Sequence, residues 1–165
     1  MEQRITGRCW VLGEDIDTDV IYPGKYLPIL EPSEMAKHAL EGLDPNFPAI
    51  LKVGDIIVAG PGFGCGSSRE QAATCLKAAG VAAVAAGSFA RIFFRNAVNQ
   101  GLPLVQADVR SYVKSGELIT IDFEAGIVEA GGAEISFPPL DPSVMSILAE
   151  GGLIPAVRKR LGMGS

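Results

Sequence analysis

Apolar positions along the chain fall into short runs separated by glycine and proline. Residues 4–12 alternate loosely between polar and apolar side chains, the period of a half-buried strand, and Gly13-Glu14-Asp15 closes it. Residues 15–21 read as an acidic loop or bend, and Pro23-Gly24 as a turn. A short helix is predicted over residues 33–40, with Ser33 as its cap and Gly42 as its stop. Residues 44–48 form a polar loop holding Pro45 and Pro48. Residues 54–59 hold a continuous apolar run, Ile56 to Ala59, rich in β-branched side chains, the mark of a strand buried on both faces. A glycine-dense segment follows, then an alanine-rich helix over residues 69–79 that Gly80 stops.

The pattern then repeats its alternation. Residues 81–86 are a second buried strand, Ser88 is placed to cap a helix running to about Gln100, and residues 102–106 are a third short strand. The order strand, helix, strand, helix, strand predicts an α/β fold with parallel pairing. The tail changes period: short strands over residues 117–123, 127–129 and 134–137 suggest a β-meander. Asp141-Pro142 opens a helix to Glu150, and a last helix covers residues 155–161. No repeat or long linker divides the pattern, so one domain over residues 1–165 is expected.

Composition narrows the function classes. Fourteen basic against nineteen acidic residues give a net charge of -5, with a basic cluster only at Arg158-Lys159-Arg160, which argues against a nucleic-acid partner. No apolar run approaches the roughly 20 residues of a membrane span, and Glu2 and Arg4 precede any apolar run, so neither a secretory leader nor a membrane association is expected. Cys9, Cys65 and Cys75 are odd in number and lack metal-ligand spacing, which argues against disulfides and against a metal or iron–sulfur site built by this chain. A soluble cytoplasmic protein is the expectation.

The chemistry concentrates in Gly62-Phe63-Gly64-Cys65-Gly66-Ser67-Ser68-Arg69-Glu70, which joins a buried strand to a helix start. Backbone N–H groups at such a start attract an anion, and glycines let the chain approach it closely. Ser67 and Ser68 add hydroxyls, and Arg69 a planar fork suited to a carboxylate or phosphate. Nucleotide motifs do not fit: position 67 is Ser where a dinucleotide fingerprint needs Gly, and the P-loop lysine is missing. The bland reading is a glycine-rich turn with a solvated arginine. Asp15 and Asp19 read as solvated turn residues, and the spacing of an EF-hand is absent. His38 reads as a surface residue, Cys65 as packing, Phe89, Phe93 and Phe94 as core or interface, and Arg91 as structural or partner-facing.

Three strings carry a resemblance: DIDTDVIYPGKYL, GFGCGSSREQA and GSFARIFFRNAVNQGLPL. In this order and spacing they closely resemble the small subunits of the 3-isopropylmalate dehydratases, and also the swivelling C-terminal domains of aconitase and homoaconitase. The resemblance covers nearly the whole chain. It implies a swivelling β/β/α domain, with parallel strands, flanking helices and a β-rich tail. It implies a hydro-lyase of leucine biosynthesis, assembled with a large subunit as a heterodimer or heterotetramer. That large partner subunit is expected to carry a [4Fe-4S] cluster, with no cofactor in this chain. The substrate is expected to be a small dicarboxylic 2-hydroxy acid.

The same resemblance implies that Ser67 is the catalytic base, that Ser68 and Arg69 hold a substrate carboxylate, and that Asp17 and Thr18 face the site. Asp17 is expected to orient an arginine or a substrate group, and Asn96 lies near the family's site-proximal asparagine. The resemblance also implies that Tyr26, Leu27, Pro28, Ile29 and Leu30 form a loop that reads the substrate's substituent. Homoaconitase-type members have an arginine directly after Tyr-Leu; here Pro28 stands there, so an apolar branch such as isopropyl is favoured. Dehydratases of 2,3-dimethylmalate or methylmalate (citraconate), homoaconitase, and a non-enzymatic anion-binding module remain alternatives.

Overall fold

The computed structural model describes residues 3–162. In chain order its strands are β1 Arg4–Val11, β2 Ile56–Ala59, β3 Ala83–Ala86, β4 Leu104–Gln106, β5 Leu118–Asp122, β6 Ile127–Ala130 and β7 Ala133–Ser136. Its α-helices are α1 Thr18–Ile21, α2 Pro32–Met35, α3 Phe47–Ile50, α4 Glu70–Ala78, α5 Arg91–Asn99, α6 Pro142–Ala149 and α7 Leu153–Arg160. Among the described residues no helix is long and apolar enough to cross a membrane.

All seven strands join one sheet in the order β4-β3-β2-β1-β5-β6-β7. The half from β4 to β1 is parallel, as the alternating pattern predicts. The meander is antiparallel and pairs with the other edge of β1, so β1 belongs to both halves. Strand residues alternate between two cores. Ile57, Ala59, Val84 and Ala86 face the helices, where Ala72, Leu76, Phe93 and Ala97 cover them. Ile56, Val58, Ala83 and Ala85 face the other way and share a core with Ile119, Ile121, Val128 and Phe137 of the tail. The sheet therefore curls, and its antiparallel half covers the face that helices leave bare. That explains why β2 and β3 are apolar at every position.

Several local expectations shift. The predicted acidic bend contains the single-turn helix α1, because the Asp17 carboxylate caps it by accepting from the Asp19 N–H at 2.6 Å. The helix predicted from Ser33 begins at Pro32, whose fixed φ suits a first helical position, and it tightens into a 3₁₀ turn over Ala36–His38. The polar loop at 44–48 closes into α3, again with a proline in its first turn. Ser88 does not cap α5, which starts after Ala90; its hydroxyl oxygen instead accepts from the Gly62 N–H at 2.9 Å.

One buried polar knot fixes the entry to β2. The Asp55 side chain is 5% exposed and accepts from Arg8 Nη2 at 3.0 Å, Trp10 Nε1 at 2.8 Å and the Lys52 N–H at 2.9 Å. Burial alone would raise its pKa, but those three donors outweigh it and hold the carboxyl below its ordinary value. A carboxylate with a depressed folded pKa contributes stability above its unfolded pKa of about 3.9 and loses it as pH falls through the folded value. Asp55→Ala is therefore expected to lower the unfolding free energy by about 2–3 kcal/mol at pH 7, because it orphans buried donors. Urea denaturation should show a smaller loss at pH 3. Equal losses at both pH values would mean that the charge of Asp55 contributes nothing.

Candidate active site

The carboxyl ends of β1, β2 and β3 lie side by side, and the three loops leaving them carry the three strings read from the sequence. Ligands of open parallel sheets bind at this end. Backbone bonds stitch the loops together. The Asp15 N–H donates to Pro61 O at 2.8 Å, the Gly64 N–H to Ile16 O at 2.8 Å, and the Thr18 N–H to Cys65 O at 2.9 Å. From the other side the Phe63 N–H donates to Ser88 O at 3.1 Å, and the Ala90 N–H to Phe63 O at 3.0 Å.

The glycines of the central turn earn their place by geometry. Gly64 has φ +81° and lies against the ring of Phe93; Gly66 has φ +91° and lies against the Asp17 carboxylate. A Cβ at either position would collide and would strain the backbone. The chain then turns outward, leaving Ser67 and Ser68 exposed ahead of α4, with Arg69 as its N-cap residue. Thr18 is 2% exposed, and its hydroxyl donates to Ser67 O at 2.7 Å, which ties the first loop directly to the serine.

These residues line a cavity of about 270 Å³, whose walls include Thr18, Gly66, Ser67, Ser68, Arg69 and Asn96. The opposite wall is the first turn of α5, with Arg91, Ile92 and Phe93. Asn96 thus sits at the cavity, where the resemblance puts a site-proximal asparagine, and Arg91, read as structural or partner-facing, sits there with it. Asp17 lies behind the turn rather than on the wall, capping α1 and backing Gly66.

The arginine's partner in the first loop is Asp19, not Asp17. Arg69 Nη1 donates to Asp19 Oδ1 at 2.5 Å and to Tyr22 O at 3.1 Å, and the Gly24 N–H donates to the same Asp19 oxygen at 2.8 Å. The Arg69 bond, aided by Gly24, lowers the Asp19 pKa. Asp19 Oδ1 reaches the guanidinium from an otherwise solvent-facing side chain, 64% exposed, so only the tertiary approach of α4 distinguishes it from Asp15. The two bonds use Nη1 of a group with five N–H donors, so the fork retains capacity for an anion.

The loop of Tyr26, Leu27, Pro28, Ile29 and Leu30 does not wall this cavity. Leu30 lines a separate cleft with Glu70, Gln71 and Thr74, on the outer side of α4. The loop therefore adjoins the Arg69 end of the turn, while its tip stays open: Leu30 is 86% exposed. His38, read as a surface residue, is half-buried and stacks on Tyr26 with ring centroids 3.6 Å apart.

Among the described residues no group of three or more His, Cys, Asp or Glu side chains is placed to hold a metal. The cysteines do not offer a thiolate set. Burial, then the charges of Asp17 and Asp15, raises the Cys65 pKa; burial also raises those of Cys9 and Cys75. The raised value disfavours the thiolate at Cys65, which is the nucleophilic form.

Comparison with known proteins gives a consistent picture. The Aconitase C-terminal domain family model matches residues 50–108, the stretch that holds the glycine turn and α5. The 3-isopropylmalate dehydratase small subunit 1 of Methanopyrus kandleri is 49% identical over 162 residues, covering 96% of this chain and 95% of that protein. The methanogen homoaconitase small subunit of Methanothermobacter thermautotrophicus is 46% identical over 166 residues, covering 99% and 96%. The crystal structure of 3-isopropylmalate dehydratase (leuD) from Methanocaldococcus jannaschii superposes with a TM-score of 0.92 at 43% identity, covering 97% of this chain and 96% of that one.

Proposed function

This chain belongs to the family of 3-isopropylmalate dehydratase small subunits, hydro-lyase components of the aconitase superfamily, and we propose that it isomerises 2-isopropylmalate to 3-isopropylmalate together with a large partner subunit. The reaction removes water to give an alkene and adds it back in the opposite sense, a step of leucine biosynthesis in the cytoplasm. This chain acts as one swivelling domain that closes on the partner. A [4Fe-4S] cluster, held by that partner and not by this chain, would supply Lewis-acid chemistry toward the substrate hydroxyl.

The residues of this chain supply the proton chemistry and the anion grip. Ser67 takes a proton from C3, alpha to a substrate carboxylate, as the hydroxyl leaves C2. A free serine hydroxyl is too weak a base, so its oxygen needs nearby positive charge. The start of α4 and the Arg69 guanidinium lie at that position. Ser68 and Arg69 hold the carboxylate, while Thr18 fixes the Ser67 backbone through its 2.7 Å bond. Asp17 acts by shaping the turn around Gly66.

The observation that carries the choice of substrate is the apolar loop. Pro28, Ile29 and Leu30 follow Tyr26-Leu27 where a homoaconitase-type member has an arginine. The tip of the loop is open in this chain; once the domain closes on its partner, a third substrate carboxylate brought against these side chains would be desolvated without a counter-charge. The reconstituted pair is expected to prefer 2-isopropylmalate over a tricarboxylate such as homocitrate by on the order of 100-fold in kcat/KM. Assays of both, with methylmalate alongside, check this. Faster turnover of the tricarboxylate would reverse the substrate assignment, and faster turnover of methylmalate would favour the smaller-branch alternative.

A further inference from the structure

We infer that Tyr26, His38 and Glu41 form a clamp that positions the substituent-reading loop, so that His38 and Glu41 set branch selectivity without touching the substrate. The inference rests on the functional reading above and concerns the root of that loop. Tyr26 is its first residue, and it is held at three points. Its hydroxyl donates to Glu41 Oε1, its ring stacks on His38 at 3.6 Å and 15°, and its carbonyl accepts from the Tyr22 hydroxyl at 2.7 Å. His38 Nδ1 in turn lies 2.6 Å from Glu41 Oε2, so one carboxylate ties both rings. The bond to Glu41 raises the Tyr26 pKa, which keeps the phenol protonated as a donor.

The anchor behind the clamp is rigid. Leu40 lies between the two clamp residues at φ +59°, a conformation unusual for a non-glycine residue, with its side chain fully buried. Its N–H donates to Ile21 O at 2.8 Å, and the Gly42 N–H donates to Val20 O at 3.0 Å. Thus the turn from His38 to Gly42 is pinned against the segment that also supplies Tyr22 O to Arg69. Beyond the clamp the hold is partial: Ile29 packs against the helix-side core and its N–H donates to Tyr26 O at 3.0 Å, while Leu27 is 38% exposed and Leu30 86% exposed. A loop whose tip is open takes its direction from its root.

Releasing the root should loosen contact with a branched substituent more than with a small one. In the reconstituted enzyme, Glu41→Ala and His38→Ala are each expected to lower the ratio of kcat/KM for 2-isopropylmalate over methylmalate by roughly tenfold, through KM for the branched substrate, with kcat within about twofold. Glu41→Gln keeps an acceptor for Tyr26 and should restore the ratio to within about twofold of wild type. Equal losses on both substrates, or an unchanged ratio, would overturn the clamp as a selectivity device. A wild-type pair without turnover of 2-isopropylmalate would overturn the functional reading and the clamp with it.

Discussion

Ser67→Ala is expected to reduce turnover of 2-isopropylmalate by roughly 10²- to 10⁴-fold in the reconstituted enzyme, the range for loss of a general base. The fold should stay intact. Ser67 is exposed, and the bond it receives from Thr18 falls on its backbone carbonyl, which alanine keeps. Far-UV circular dichroism and co-purification with the large subunit should match wild type. KM should change little, because Ser68 and Arg69 remain to hold the carboxylate. A loss of turnover that came with a loss of partner binding would point to assembly rather than chemistry.

The second large effect belongs to Arg69. Arg69→Lys keeps one charge but removes the planar fork. In this structure the fork spans two jobs: Nη1 holds Asp19 and Tyr22 O, while the group also lines the cavity beside Ser67 and Ser68. A lysine ammonium cannot serve both sides at once. The expected result is a fall in kcat/KM of about 10²-fold, carried by KM and kcat together, since the same change moves the anion grip and the charge beside Ser67. Steady-state kinetics check it. Asp19→Asn separates the two jobs: it weakens only the internal pair, whose aspartate is solvent-facing, and should cost less than tenfold. If Asp19→Asn matched Arg69→Lys, the arginine would act through the internal pair and not through an anion.

The parallel half of the fold was readable because burial on both faces leaves a local mark. Ile56 to Ala59 and Ala83 to Ala86 are apolar at every position, and each is followed by glycine and a helix start. The merging of the meander into the same sheet was not readable. It depends on Arg4 to Arg8 pairing with residues more than a hundred positions away, which no local period records. The glycine turn and its serines were legible for the same reason as the strands: closely spaced glycines next to a helix start have few other uses.

The misreadings share one cause, a long-range partner. Ser88 looks like a helix cap in sequence but is recruited by the Gly62 N–H, twenty-six residues away. Asp17 and Asp19 are equivalent acidic positions until the fold brings Arg69 against one of them and Gly66 against the other. His38 sits on a polar-looking helix and is drawn inward by stacking on Tyr26. Arg91, read as structural or partner-facing, reaches the cavity because Phe93 packs against Gly64 and brings the first turn of α5 toward it.

The proton step itself decides the matter. 2-Isopropylmalate deuterated at C3 would be given to the large subunit saturated with Ser67→Ala, with substrate binding verified by calorimetry. The expected result is bound substrate that loses deuterium and yields alkene at least roughly 10²-fold more slowly than in the wild-type pair. Deuterium loss from the Ser67→Ala complex at the wild-type rate would contradict it, because some group other than Ser67 would then be taking the proton.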